Sequence, residues 1–134
     1  MPTIRPAAVA GMFYPNDPVE LKHTVTDLLA NATAGASSRP PKALIVPHAG
    51  YIYSGAVAAN AYATLKPLRD VIRRVVLLGP CHRVAVRGLA APTVQAFATP
   101  LGSIPLDRAA LDSLADLPQV VANDAAHAQE HSLE

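Results

Sequence analysis

The sequence predicts an α/β fold with at least one parallel pair of strands, and three observations predict it. Ala43-Leu44-Ile45-Val46 and Arg74-Val75-Val76-Leu77-Leu78 are short, apolar, β-branched runs, ended by Pro47 and by Gly79-Pro80. Runs of this kind read as fully buried strands of a parallel sheet. Between them lies an alanine-rich helical stretch, Ala56–Leu65. A strand–helix–strand order with a connection of about 26 residues suits a right-handed βαβ unit.

The elements follow in order. Residues 1–12 read as extended, and Phe13-Tyr14-Pro15-Asn16 as a turn. Asp17 can cap a helix, Pro18 suits its first position, and Glu20 stands where a capping box needs it. Leu21, Val25, Leu28 and Leu29 recur at helical spacing, which predicts a helix through about Ala32. The stretch from Thr33 to Pro41, rich in small residues, is expected to be an exposed loop. Lys42–Val46 is the first expected buried strand and Arg74–Leu78 the second, with the Ala56–Leu65 helix packed on the sheet. Val84–Ala91 and Thr93–Phe97 alternate weakly and are expected as strands or an excursion. Thr99-Pro100-Leu101-Gly102 reads as a turn. Asp107 can cap a helix carrying Ala110, Leu111 and Leu114, and Gln119–Ala122 is a short strand candidate. Asp124–Glu134 has helical character without a glycine or asparagine end signal. The prolines fall before strands, at strand ends and in turns, which is punctuation and not a linker.

Composition bounds the function. A chain of 134 residues is enough for one domain, 1–134, with a core of its own. Apolar residues make up 51 % and charged ones 16 %, so disorder is not expected. A net charge of +1 with both signs interspersed leaves no electrostatic footprint for nucleic acid or an anionic membrane. No window reaches the ~18 apolar residues of a membrane span, and the N-terminus lacks the apolar core of a signal peptide. A single cysteine fits a reducing compartment, so a cytoplasmic location is expected.

The chemistry lies in the histidines. His48 and His82 each follow an apolar run and its proline or glycine-proline break, at the sheet edge where α/β proteins bind ligands. Each imidazole can simply hydrogen-bond a neighbouring backbone group. Two of them at one edge can instead share a metal ion, or act as acid and base on one substrate. A catalytic metal site normally takes three protein ligands, and Asp124, His127, Glu130 and His131 are the candidates for the third. A carboxylate there would suit nonheme iron; another histidine or a cysteine would also suit zinc or copper. His127 and His131 stand four apart, on one face if the last segment is helical. His23 reads as a solvated helix residue. Cys81 beside His82 raises a nucleophile–base pair, although adjacent extended residues point apart. Tyr51 and Tyr53 flank the first histidine as candidate substrate-binding residues, or as packing residues with wet hydroxyls. Neither G-x-G-x-x-G nor the P-loop pattern occurs.

The ordered motifs resemble a known family. Arg5-Pro6, then Ala10-Gly11-Met12-Phe13-Tyr14-Pro15, Pro47-His48-Ala49-Gly50-Tyr51 with Tyr53-Ser54-Gly55, and Leu78-Gly79-Pro80-Cys81-His82 resemble the Memo family. Thr99-Pro100-Leu101-Gly102, Asp107, His127 and Glu130-His131-Ser132-Leu133-Glu134 continue the match in the same order. The chain looks most like the bacterial and archaeal branch, called AmmeMemoRadiSam system protein B, and carries Cys81 where the family usually has Ser or Asn. The resemblance covers the N-terminal half of the family domain. It implies a LigB-like α/β/α sandwich with a largely parallel or mixed sheet, similar to class III extradiol dioxygenases. It implies His48 and His82 as metal ligands, with Glu130 and His131 as catalytic groups at the pocket. Iron or copper is the implied cofactor, with zinc possible, and the implied chemistry is redox or dioxygenase-like. An AMMECR-type protein and a radical SAM enzyme are the implied partners. The alternative is a non-catalytic module that binds a peptide or protein in the same pocket. In the family's other half lies a further Asp/His motif. A half-sheet exposes an apolar edge, so a homo-oligomer is also expected.

Overall fold

A computed structural model describes residues 3–33 and 39–134. Residues 34–38 of the expected loop lie outside the described residues. The chain divides into two compact units, Gly11–Leu78 and the segment to Ala10 together with Gly79–Glu134.

The Gly11–Leu78 unit is built on two helices. The first, α1 (Pro18–Ala30), starts as its sequence dictates: the Asp17 carboxylate accepts from the Val19 and Glu20 N–H groups, both at 2.9 Å. Those are two of the donors that a helix N-terminus leaves without a partner. The second, α2 (Tyr51–Ala63), begins five residues before the expected Ala56. Gly50 is its N-cap, and the Ser54 hydroxyl in its first turn accepts from the Ala49 N–H at 3.0 Å. Leu21 of α1 and Ala59 of α2 are buried. Gly55 permits the approach of the two helices, since a Cβ there would stand 3.0 Å from Leu28 Cδ1. A single 3₁₀ turn, Lys66–Leu68, follows.

The two apolar runs behave differently from expectation. Neither Lys42–Val46 nor Arg74–Leu78 forms a strand, and Val75, Val76, Leu77 and Leu78 are exposed. Ile45 is 101 % exposed. The expected βαβ unit over residues 42–78 is therefore corrected. A strand is defined by its ladder, and among the described residues every ladder is made by other segments. Local β-propensity does not create a neighbour to pair with.

The second unit holds those ladders. β1 (Ile4–Arg5) pairs in parallel with β3 (Ala96–Thr99), which pairs antiparallel with β4 (Gly102–Pro105). The expected turn closes that hairpin, and Gly102 supplies its positive φ of 129°. β2 (Leu89–Ala91) pairs in parallel with β5 (Val120–Ala122), in register Leu89↔Val120 through Ala91↔Ala122. The Asp107-capped helix is short: α3 spans Arg108–Asp112, and Asp107 accepts from the Ala110 N–H at 3.0 Å. The last helix, α4 (Ala125–Ala128), is one turn long. The expectation of helix through Glu134 is corrected, because the chain leaves the helix at Gln129 and continues as turns. The protein is thus α/β with mixed pairing. No helix among the described residues is long and apolar enough to cross a membrane.

Candidate metal centre

The second unit brings together two segments of sequence, Gly79–His82 and Glu130–Glu134. Gly79 leaves room for the approach: a Cβ there would stand 2.7 Å from both Leu133 Cδ2 and Ser132 Oγ, so a larger residue would have to displace those side chains. The Ser132 hydroxyl donates to the Pro80 carbonyl at 2.7 Å and ties the approach. Cys81 turns its sulfur toward the Ala126 carbonyl, 3.6 Å away, so no Cys81–His82 dyad carries the site.

Glu130 is the hub of this junction. It is only 6 % exposed. Its Oε2 accepts from the His82 backbone N–H at 2.5 Å, and its Oε1 lies 2.8 Å from His82 Nδ1. Oε1 also accepts from the backbone N–H groups of His131 (2.9 Å) and Ser132 (3.0 Å). Burial by itself would raise the Glu130 pKa. The bonds from His82, Ser132 and His131 outweigh it and hold the carboxyl at about 2, so the group is an anion at neutral pH.

Beside this carboxylate the imidazoles of His82 and His131 stack on each other, with ring centroids 4.6 Å apart and planes 13° from parallel. His131 Nδ1 lies 3.5 Å from Glu130 Oε1. Each ring offers a ligand nitrogen, and the two lie within 4.8 Å of one another. Two imidazoles at that separation can bind one cation, and imidazole suits iron, copper and zinc alike. The donor set therefore fits the metal that the resemblance implies.

The other histidines divide cleanly. His127 is tied into the fold: its Nε2 bonds the Ala90 carbonyl at 2.9 Å and its ring meets the edge of Phe97 at 5.7 Å. With α4 ended at Ala128, His127 and His131 do not share a helix face. His23 pairs with Asp27 at 3.0 Å on the exposed side of α1, as a solvated residue would. His48 belongs to the Gly11–Leu78 unit, on the coil that leads into α2. In the same unit Tyr51 packs against Tyr14, with ring centroids 5.5 Å apart, and its backbone N–H reaches the Phe13 carbonyl. Burial, and then the neighbouring Tyr62, push its hydroxyl pKa above the ordinary value. Tyr53 is exposed.

Asp124, a candidate third ligand from its sequence position, is engaged elsewhere. It accepts from the Thr93 hydroxyl and, at 2.7 Å, from the Thr93 backbone N–H. The hydroxyl bond first and the backbone bond second hold its carboxyl below the ordinary range. A depressed folded-state pKa gives stability that is present above the unfolded value and lost as pH falls through the folded one. The urea midpoint of the parent should therefore fall further between about pH 6 and about pH 3 than that of Asp124→Asn. Equal falls would show that the Thr93–Asp124 link contributes nothing.

Sequence reading missed a clamp behind the site. Arg5 is buried, and its Nη1 pairs with Glu134 Oε2 at 2.5 Å. Its Nε donates to the His127 carbonyl (2.9 Å) and its Nη2 to the Glu130 carbonyl (2.5 Å). Arg5 and Glu134 both stand in the quoted motifs, but nothing in sequence links residues 129 apart.

An α/β protein whose histidine pair is braced by a buried carboxylate is the class that fold and site define. The description "Memo-like protein" fits residues 5–134 of the chain. A MEMO1 family protein of Aquifex aeolicus is 37 % identical over 131 residues, which are 98 % of this chain and 47 % of that protein. A MEMO1 family protein of Ignicoccus hospitalis is 36 % identical over 140 residues, 98 % of this chain and 49 % of its own. Protein MEMO1 of Xenopus tropicalis is 40 % identical over 104 residues, 78 % of this chain and 34 % of its own. The chain belongs to the Memo family. It spans about half the length of the prokaryotic relatives it matches.

Proposed function

We propose that this chain carries a metal centre, with His82 and His131 as imidazole ligands and His48 as a third. The observation that supports it is the stacked His82–His131 pair, braced from behind by the buried Glu130 carboxylate. His48 enters on its place in sequence, just past an apolar run in the same kind of proline-marked turn as His82. An all-imidazole set suits copper, iron and zinc. A bound redox metal would supply one-electron chemistry and polarise a bound oxygen donor. Redox or dioxygenase-like activity is the proposed role, in the setting of an AMMECR-type protein and a radical SAM partner.

Metal content tests the reading. Protein purified without oxygen or chelators is analysed by mass spectrometry beside His82→Ala and His48→Ala. The expected result is stoichiometric iron or copper in the parent, with a loss of most of it in each variant. A parent that stays metal-free after incubation with Fe(II), Cu(II) and Zn(II) would overturn the proposal, and binding of a peptide or protein would then lead.

A further inference from the structure

We infer that Glu130 is a positioning residue: it fixes the tautomer and ring orientation of His82, so that the proton sits on Nδ1 and Nε2 carries the lone pair. The consequence for metal binding rests on the metal-centre reading above; the tautomer itself does not. An ionised carboxylate only accepts hydrogen bonds, so an imidazole nitrogen 2.8 Å from Glu130 Oε1 must be the donor. A neutral ring that donates through Nδ1 has its acceptor at Nε2.

Glu130 is itself unable to turn away. Three backbone N–H groups, from His82, His131 and Ser132, hold its two oxygens at 2.5–3.0 Å. One of these donors belongs to His82, so main chain and ring of that residue are gripped by the two oxygens of one side chain. The same Oε1 lies 3.5 Å from His131 Nδ1, and the rings are stacked 13° from parallel. A single carboxylate therefore faces the Nδ1 edge of both imidazoles. The edges bearing Nε2 are the ones directed away from it. Carboxylates placed behind metal-binding imidazoles fix ring and tautomer in just this manner, and losing one typically weakens metal affinity 10–100-fold.

This assignment separates Glu130 from proton transfer to substrate. Its oxygens are committed to the protein, and what it delivers is the direction of a lone pair on another residue.

The test begins with metal-free protein in mildly alkaline buffer. Nitrogen-15 long-range correlation NMR reads which ring nitrogen of His82 holds the proton. The expected result is Nδ1–H in the parent and a shift toward Nε2–H in Glu130→Ala. In Glu130→Gln an amide oxygen can still accept from Nδ1, so that variant is expected to retain Nδ1–H. An Nε2–H tautomer in the parent overturns the inference without any variant. So does a folded Glu130→Ala protein that keeps Nδ1–H. Co(II) titration then reads the consequence: about 10–100-fold weaker binding in Glu130→Ala, with Glu130→Gln between the two. If the tautomer shifts as expected and the parent takes up no Co(II), the metal reading fails while the positioning role stands.

Discussion

Replacing Arg5 by alanine is expected to destabilise the fold by about 3–5 kcal/mol, the size associated with stripping one partner from a buried ion pair. Arg5 is 6 % exposed in its side chain and Glu134 only 1 %, so water cannot replace the lost partner without opening the structure. Glu134 would keep its bonds from the Ala8 and Val9 backbone N–H groups and lose its countercharge. The guanidinium also sits over the Phe97 ring, 5.0 Å from its centroid, and anchors the His127 and Glu130 carbonyls. These contacts join β1 to the segment that carries Glu130 and His131. A lysine cannot reproduce them, because its ammonium lacks the planar fork that reaches several acceptors while stacking on a ring. Arg5→Lys should accordingly recover less than half of the loss. Urea unfolding of both variants checks this, and a loss under about 1 kcal/mol for Arg5→Ala would place the clamp outside the stability of the fold. The same variants should loosen the tail of the site, with weaker metal retention than an Asp124→Asn control.

What sequence discloses, and what it withholds, divides by range. The start of α1 was legible because a cap is local chemistry: Asp17, Pro18 and the bonds to Val19 and Glu20 lie within four residues. The Thr99–Gly102 turn is legible for the same reason, whereas the strand at Val120–Ala122 forms because Leu89–Ala91 lies beside it to pair with. The runs 42–46 and 74–78 look like strands by composition, but pairing is a tertiary event and composition cannot supply the second strand. The site shows the same division. His82, Glu130 and His131 were identified as residues with chemistry to offer. That Glu130 grips His82 from 48 positions away, and that Arg5 braces the segment behind them, depends on how the chain closes on itself. The four hydrogen-bonding contacts of the Glu130 carboxylate are likewise invisible in sequence, because they come from a segment 48 positions away as well as from its own neighbours. The helical face expected for His127 and His131 fails on one fact, that α4 is a single turn.

Gly88→Ala is the second substitution expected to have a large effect, and it probes the sheet from which the Glu130 segment departs. Gly88 has a φ of +90°, a conformation that costs a side-chain-bearing residue roughly 1–3 kcal/mol. A Cβ there would also stand 2.2 Å from the Gln119 carbonyl oxygen and 3.1 Å from its carbon. Those are backbone atoms, which cannot rotate away, and that carbonyl accepts from the Leu89 N–H at 2.7 Å to open the β2–β5 ladder. To admit the methyl, the chain must give up this bond or shift the register of a three-residue strand. Beyond that ladder the Asn123 N–H bonds the Ala91 carbonyl at 3.0 Å, and His127 bonds that of Ala90, so displacement of β2 is passed to α4. Gly102→Ala is the control that separates strain from collision. Its φ is +129°, yet nothing lies within 4 Å of where its Cβ would be. That variant should lose only the backbone cost, about 1–3 kcal/mol, whereas Gly88→Ala should exceed it clearly in urea unfolding. Equal losses would mean that β2 and β5 part without penalty, and the support for the Glu130 segment would then have to come from the Arg5 clamp alone.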